Sequence, residues 1–329
     1  MLGTSGSSKI SAKEKIIFLD AGTVDYGDVS LAEIEKLGRL KTYFKTSAAD
    51  MARRVEGVRH VITNKCCFPA ELLASLKSVR GIHLAATGFN NIDLRAARRA
   101  GIAVTNVSGY CTEIMAQFTF GFLLTLACNL DKYNRAVHAG RWSRSPFFMA
   151  ADFPIREIHG QTLGVIGYGA IGKRVAEIAR AFGMKVLVAK IPGRRYAAGA
   201  GRLPFEKVLR ASDFLTIHAP LSELTRSLIN AKVIRMMKKG SCLINTARGG
   251  IVDEKALRLA LESGHLAGAA CDVLTVEPPP RHHILMKAPN LLMTPHAAWA
   301  SLEARTRLIH EIALNIRAFQ KGTRRNRIV

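Results

Sequence analysis

Three side chains in the second half of the chain have the types and settings for chemistry on a small anionic substrate: Arg248, Glu277 and His296. Arg248 follows an apolar run and precedes Gly249 and Gly250, so its guanidinium can reach into a cleft and hold a carboxylate through two parallel hydrogen bonds. His296 stands after Pro295 at the end of another apolar run, and Glu277 lies earlier in a proline-rich turn. A carboxylate beside an imidazole orients the ring and favours its protonated form, which gives a proton donor usable near neutral pH. Read singly, the arginine is a surface charge and the histidine a structural one. Their meaning depends on whether they converge beside a cofactor.

The stretch 163–190, LGVIGYGAIGKRVAEIARAFGMKVLVAK, supplies the candidate cofactor site. A short apolar run suits a buried strand and turns through Gly167, Tyr168, Gly169, Ala170, Ile171 and Gly172 into helical periodicity. That periodicity places Ile171, Val175, Ile178, Ala179 and Phe182 on one face, and Gly183 stops it before a second apolar run over 184–189. Gly167 permits the tight turn, Gly169 lets the backbone approach a pyrophosphate, and Gly172 lets the helix lie close on the strand. Free N–H groups and the positive end of the helix dipole then face the phosphates. The strand, glycine turn, helix and strand together imply dinucleotide binding.

At the end of the second run an acidic residue would accept hydrogen bonds from the adenosine ribose and favour NAD. Lys190 stands there instead, followed by Arg194 and Arg195. A cation cluster at that place pairs with a 2′-phosphate, so the reading leans to NADP over NAD. The same residues would also serve as a solvated basic loop.

Other elements must position these residues. Over 15–106 short apolar runs at 16–20, 41–44, 60–63, 82–87 and 102–106 read as strands. Amphipathic stretches at 69–75 and 94–100 read as helices, the second capped by Asp93. Thr87 and Gly88 follow one such strand, where open parallel sheets present ligand-binding loops; a plain turn explains them equally. A long apolar helix is expected over 112–130, opened by Thr112 with Glu113 in its first turn. A looser stretch over 141–158 carries Trp142, Phe147, Phe148, Met149 and Phe153, read either as a contact between subunits or as a cover over the chain's own core. Further strands are expected over 213–220, 241–250, 266–273 and 290–296, each ending in residues capable of chemistry, and a last helix over 302–319. The alternation argues for an α/β chain with parallel sheets covered by helices.

The chain has 329 residues with 48 Lys and Arg against 25 Asp and Glu, a formal charge of +23. That surplus attracts anions in general, while no aromatic-rich basic motif for nucleic acid accompanies it. Six cysteines at 66, 67, 111, 128, 242 and 271 form no zinc pattern and no CxxC, so buried free thiols in a reducing compartment are expected and no metal site. No segment reads as a membrane span. The small polar residues at the start lack the apolar core of a signal peptide and read as a loose tail on a cytoplasmic protein.

The segments GYGAIG, NTARGGIVDE, CDVLTVEPPP and TPHAAW, in this order, resemble the D-isomer-specific 2-hydroxyacid dehydrogenases, and the likeness covers nearly the whole chain. ATGFNNIDL, the run FPIREIHGQTLGVIGYG and the tail RRNRIV are most similar to the glycerate dehydrogenase, or hydroxypyruvate reductase, branch. The resemblance implies two Rossmann-like open parallel-sheet domains with an interdomain active-site cleft: a tail at 1–14, a substrate domain at 15–106 resumed at 298–329, and a dinucleotide-binding domain at 107–297. It implies a homodimer. It gives Arg248 the substrate carboxylate and carbonyl, His296 the acid/base role with Glu277 as its partner, and Thr87 and Gly88 backbone contacts to the carboxylate. Thr112, His218, Thr246, Ala247 and Asp272 would line the cofactor, with Asp272 near the nicotinamide.

The implied reaction is reduction of a small 2-keto acid, hydroxypyruvate or glyoxylate, to D-glycerate or glycolate, and its reverse. Lys190 departs from the acidic residue of NAD-preferring members, and Gln117 stands where many members carry Glu. Some relatives of this fold are NAD-sensing corepressors, which leaves a binding-protein reading beside the enzymatic one. Formate or phosphite oxidation is disfavoured because Glu277 is present.

Overall fold

A computed structural model describes residues 14–329. The chain forms two compact units, one running up to Cys111 and resumed over Ala300–Val329, the other spanning Thr112–Trp299.

The first unit is built on strands β1 (Lys15–Phe18), β2 (Arg39–Thr42), β3 (His60–Thr63), β4 (Gly81–Leu84) and β5 (Ala103–Thr105), all parallel in the order β2-β1-β3-β4-β5. Every residue of β3 and β4 is buried, as expected of inner parallel strands covered on both faces. Several strands stop sooner than the apolar runs suggest. After β1 the Asp20 carboxylate accepts the Asn64 N–H at 2.9 Å and the Lys65 N–H at 2.6 Å, which turns both strand ends out of the ladder. The helix Leu94–Arg99 begins at the expected cap, with Asp93 accepting the Ala96 N–H at 2.8 Å.

The last helix, Leu302–Gln320, belongs to this unit and buries Leu308, Ile309, Ile312 and Ile316. The tail then returns along the outer side of β5, where Ile328 N–H donates to the Val104 carbonyl at 2.8 Å. That cover protects an edge strand from pairing with another chain. Residues 1–13 of the expected tail lie outside the described residues, while Glu14 is held by Arg59 at 2.7 Å.

In the second unit strands β6 (Thr162–Ile166), β7 (Lys185–Ala189), β8 (Phe214–Ile217), β9 (Ser241–Asn245), β10 (Leu266–Cys271) and β11 (Leu291–Met293) are all parallel, in the order β11-β10-β9-β8-β6-β7. The strand order reverses at β6, and such a switch point is where open α/β sheets leave a crevice at their C-terminal edge. Val175 and Ala179 of the helix Ala170–Ala181 pack with Leu163 and Val165 of β6 and Phe214 of β8, alongside Phe120 and Leu123 of the helix Thr112–Cys128. Phe182 does not join the buried face. The helix ends at Ala181, and the Phe182 ring, 45% exposed, stacks on Phe120.

The long helix is shorter than expected. Asn129 adopts φ 50° and donates its side-chain N–H to the Pro154 carbonyl at 2.6 Å. Asn tolerates this left-handed conformation better than most residues, and the chain bends by 62° into a second helix, Leu130–His138, that composition did not announce. Among the described residues no single helix is long and apolar enough to cross a membrane. All six cysteines are free; Cys111, Cys242 and Cys271 are buried, and Cys67 is exposed where a buried thiol was expected, because it lies in the turn after β3.

Candidate active site

The chemistry-bearing residues of the second unit stand at the C-terminal ends of its strands, because parallel strands point the same way and their following turns share one edge. Beyond β9 the Asn245 side chain shapes the turn: its Oδ1 accepts the Ala247 N–H at 3.1 Å and its Nδ2 donates to the Arg248 carbonyl at 2.9 Å. Thr246 is buried, its hydroxyl 3.3 Å from that of Thr119. Arg248 is exposed in this turn, and its Nη1 donates to the Ala247 carbonyl at 2.7 Å.

His296 follows β11 and is itself in the left-handed region, at φ 54°. A non-glycine residue there is strained unless its surroundings hold it. Asp272, buried at the end of β10, does the holding. Its carbonyl accepts the His296 N–H at 2.8 Å, and its carboxylate accepts the Thr294 hydroxyl at 2.6 Å and the N–H groups of Ala297 at 2.8 Å and Ala298 at 3.1 Å. Burial pushes the Asp272 carboxyl above the usual range, and these hydrogen bonds pull against that rise.

Glu277 Oε2 lies 2.6 Å from His296 Nδ1, and Glu277 Oε1 accepts the Leu274 N–H at 2.9 Å. An ionised Glu277 assigns the donor role to Nδ1, which leaves Nε2 as the nitrogen able to take up or give a proton. The 274–278 turn is braced in addition by Glu254, which accepts the Thr275 N–H at 2.7 Å and lies 3.1 Å from His283 Nε2.

The glycine turn fits a dinucleotide. Gly167 has φ +91°, and a Cβ on it would come within 2.5 Å of the His218 backbone; one on Gly172 would come within 2.1 Å of the Gly167 carbonyl oxygen. Around Gly169 the opposite holds: it is exposed, and a Cβ there would meet nothing within 4 Å. Close packing on two sides and open space at the third is the cradle a pyrophosphate needs. No side chain caps the helix Ala170–Ala181 at Gly169, so the N–H groups of its first turn are available to an anion. His218, half-buried at the end of β8, is 3.0 Å from the Thr216 hydroxyl, and burial pushes it down to about 4, which keeps it neutral.

Two comparisons settle the family. Residues 120–298 match the model described as D-isomer specific 2-hydroxyacid dehydrogenase, NAD binding domain. Glycerate dehydrogenase of Methylorubrum extorquens is 37% identical over 95% of this chain and 98% of its own length. The chain belongs to the D-isomer-specific 2-hydroxyacid dehydrogenases. Hydroxypyruvate reductase of Blautia hydrogenotrophica is 34% identical over 94% of this dehydrogenase and 98% of its own chain. D-lactate dehydrogenase of Aquifex aeolicus, solved with NAD and lactic acid, is 30% identical with a TM-score of 0.79, covering 93% of this chain and 96% of that one. The chain is an enzyme of this class and uses a nicotinamide cofactor.

Of the residues singled out from this dehydrogenase's sequence, Glu277 and His296 follow β10 and β11 and are in direct contact, and Arg248 follows β9, the strand next to β10. Lys190, Arg194 and Arg195 are exposed in the loop after β7, and Thr112 is the first residue of its helix. Thr87 and Gly88 lie in the first unit, where the Thr87 hydroxyl donates to the Val107 carbonyl at 2.8 Å. The sequence does not point to Glu254 and His283, whose hydrogen bonds are long-range, or to Asn245, whose bonds two and three residues on sit inside an apolar run. Asp272 anchors the His296 turn, a role the sequence did not suggest. The large cavity of about 1070 Å³ in this unit lies elsewhere, between the helix Leu130–His138 and β11.

Proposed function

We propose that this dehydrogenase reduces hydroxypyruvate or glyoxylate to D-glycerate or glycolate, with NADP preferred over NAD, and runs the reverse oxidation. The observation that carries the reading is the 2.6 Å pair of His296 Nδ1 and Glu277 Oε2, set at the same sheet edge as Arg248. A bound reduced nicotinamide supplies the hydride to C2 of the keto acid.

Arg248 holds the substrate carboxylate in its fork and polarises the C2 oxygen. His296, protonated, gives its Nε2 proton to that oxygen as negative charge develops there, and Glu277 stabilises the imidazolium before the transfer. Asp272 keeps the ring aimed by fixing the backbone on either side of it. Gly167, Gly169, Ala170, Ile171 and Gly172 receive the pyrophosphate, and Lys190, Arg194 and Arg195 supply positive charge near the adenosine ribose. Thr112, His218, Thr246, Ala247 and Asp272 line the cofactor. The carboxylate contacts assigned to Thr87 and Gly88 rest on the family resemblance. We read the active protein as a cytoplasmic homodimer, supported by the exposed aromatic stretch after residue 141.

The test follows the absorbance of the reduced nicotinamide with hydroxypyruvate, glyoxylate and pyruvate, each with NADPH and with NADH. Fast oxidation of NADPH by hydroxypyruvate or glyoxylate is the expected result. No turnover with any of the three acids would remove the substrate assignment, and faster turnover with NADH would remove the cofactor assignment alone.

A further inference from the structure

Arg202 belongs neither to the glycine turn nor to the basic cluster of Lys190, Arg194 and Arg195. The chain leaves β7 at Lys190, loops out, and returns beside the strand at Leu203, whose N–H donates to the Val188 carbonyl at 2.8 Å and whose carbonyl accepts the Lys190 N–H at 2.9 Å. Arg202 is thereby brought back to the place where the loop began. Its guanidinium carbon is 4.7 Å from the centroid of the Tyr196 ring and 5.7 Å from that of Tyr168, the residue between the first two glycines of the turn. The Tyr196 hydroxyl accepts the Ile191 N–H at 3.1 Å, so the ring is tied to the first residue of the loop. Arg194 also reaches this ring, at 5.6 Å.

Burial separates the cations of this loop. Lys190, Arg194 and Arg195 are exposed, whereas Arg202 is half-buried. A solvated lysine or arginine must give up side-chain freedom to grip an anion. A guanidinium already laid against aromatic rings has given up much of that freedom, and it keeps the N–H donors of its edge for a ligand.

We propose that Arg202 is the specificity-determining cation for the 2′-phosphate of NADP, and that Tyr168 and Tyr196 are positioning residues that hold its guanidinium beside the glycine turn. This rests on the NADP preference proposed above and names the residue responsible. Arg194 and Lys190 then contribute diffuse positive charge, and their loss costs less.

Dissociation constants for NADPH, NADH, 2′-AMP and 5′-AMP, measured by calorimetry on the full-length protein without substrate, test it. Arg202→Ala should weaken NADPH and 2′-AMP about 10-fold or more, the loss expected for one charge-assisted contact, while NADH and 5′-AMP stay within about 2-fold. Tyr196→Phe should lower the NADPH preference less than Tyr196→Ala, because it keeps the ring. Unchanged NADH affinity shows in the same experiment that each variant is folded. If Arg202→Ala leaves the NADPH preference intact and Arg194→Ala or Lys190→Ala abolishes it, Arg202 is not the determinant and the NADP reading stands. Equal weakening of both cofactors by Arg202→Ala assigns it a structural role and overturns the proposal. A wild-type protein that binds NADH more tightly and ignores 2′-AMP overturns the NADP reading and this proposal together.

Discussion

Gly249 lies so close to Leu274 that a Cβ on it would come within 1.9 Å of the Leu274 carbonyl carbon and 2.3 Å of the Thr275 nitrogen. The atoms it would meet are backbone, so none can swing aside. The Leu274 N–H donates to Glu277, whose other oxygen meets His296. One glycine therefore couples the turn that carries Arg248 to the Glu277–His296 pair.

Gly249→Ala is expected to act through this coupling. Forcing a methyl group into a filled space costs about 1–3 kcal/mol and shifts the backbone. A displacement of about 1 Å at a reacting group lowers rate by about 100-fold. The variant should lose that much kcat/KM and weaken the cofactor less, because the glycine turn that takes the pyrophosphate stands at the end of a different strand. Steady-state kinetics beside a cofactor titration decide it, and wild-type kcat/KM in Gly249→Ala would dissolve the coupling.

For the acid/base pair the informative replacement is His296→Asn. Asn tolerates the left-handed backbone that His296 adopts at φ 54°, so the turn should survive while the proton donor is lost. Keto-acid reduction should fall by about 10²–10⁴-fold with cofactor binding spared. Glu277→Gln should lower kcat less, since it can still accept the Nδ1 hydrogen bond but no longer carries the charge. Normal turnover in His296→Asn would take the acid/base role away from this residue.

Arg248→Lys separates charge from geometry. Lysine keeps the positive charge but cannot offer two parallel donors to a carboxylate. KM for the keto acid should rise and kcat fall, with kcat/KM down by about 10²–10³-fold, close to the loss in Arg248→Ala. Recovery of most activity by lysine would mean that Arg248 acts as a point charge and does not grip the carboxylate through its fork.

Much of this arrangement could be read from the chain because apolar runs and turn residues encode strands locally. The run at 60–63 is strand β3 with the same ends, and the strand, glycine turn, helix and strand of 163–190 fold as the spacing requires. Arg248 and His296 were recognisable by their places after apolar runs, and Glu277 by its proline-rich turn ahead of His296. Features set by distant partners were not. The break at Asn129 sits inside an apolar stretch whose composition continues past it, and a side-chain bond to Pro154 helps fix it. Phe182 keeps the helical spacing, but the helix has ended before it. Arg202 earns its place only because residue 203 returns to β7, a pairing that no local periodicity reveals.

The stretch after residue 141 should form the contact between two copies. Phe147 and Phe148 are 74% and 90% exposed. Trp142 Nε1 nonetheless donates to the Phe148 carbonyl at 2.9 Å, and Ser145 Oγ donates to the Met149 carbonyl at 2.6 Å. An apolar patch that is held in shape yet left in water marks an interaction surface. Phe147→Asp with Phe148→Asp should turn a dimer into a monomer in sedimentation velocity, and a monomeric wild type at micromolar concentration would rule the surface out for this role.

The first unit carries a buried imidazole pair that sets a pH dependence of its own. His60 and His83 are both fully buried, with His60 Nδ1 3.1 Å from His83 Nε2. His83 Nδ1 is 2.9 Å from the Thr105 hydroxyl, and His60 Nε2 is 2.8 Å from Glu14 Oε2. With Glu14 ionised and both rings neutral, one run of donors satisfies every bond: Thr105 to His83, His83 to His60, His60 to Glu14. The Phe319 ring closes the site edge-on, 5.2 Å from His60. Burial pushes both histidines below their ordinary value of 6.5, His83 well below it; Glu14 pulls His60 back only in part, and Arg59 opposes that. The unfolded chain therefore takes up protons first. This contribution to stability is complete above about pH 6.5 and is lost as pH falls, at up to about 1.4 kcal/mol per pH unit for each ring. For Glu14 burial acts upward, but hydrogen bonds from His60 and Gln320 outweigh it and hold the carboxyl below 4.5, so a second loss begins as pH drops under that value. Urea unfolding followed from about pH 8 to about pH 5 should show the midpoint falling below pH 6.5, and His83→Gln, which keeps a hydrogen-bonding side chain but cannot titrate, should flatten the fall. The same slope in wild type and His83→Gln would place the pH dependence outside this pair.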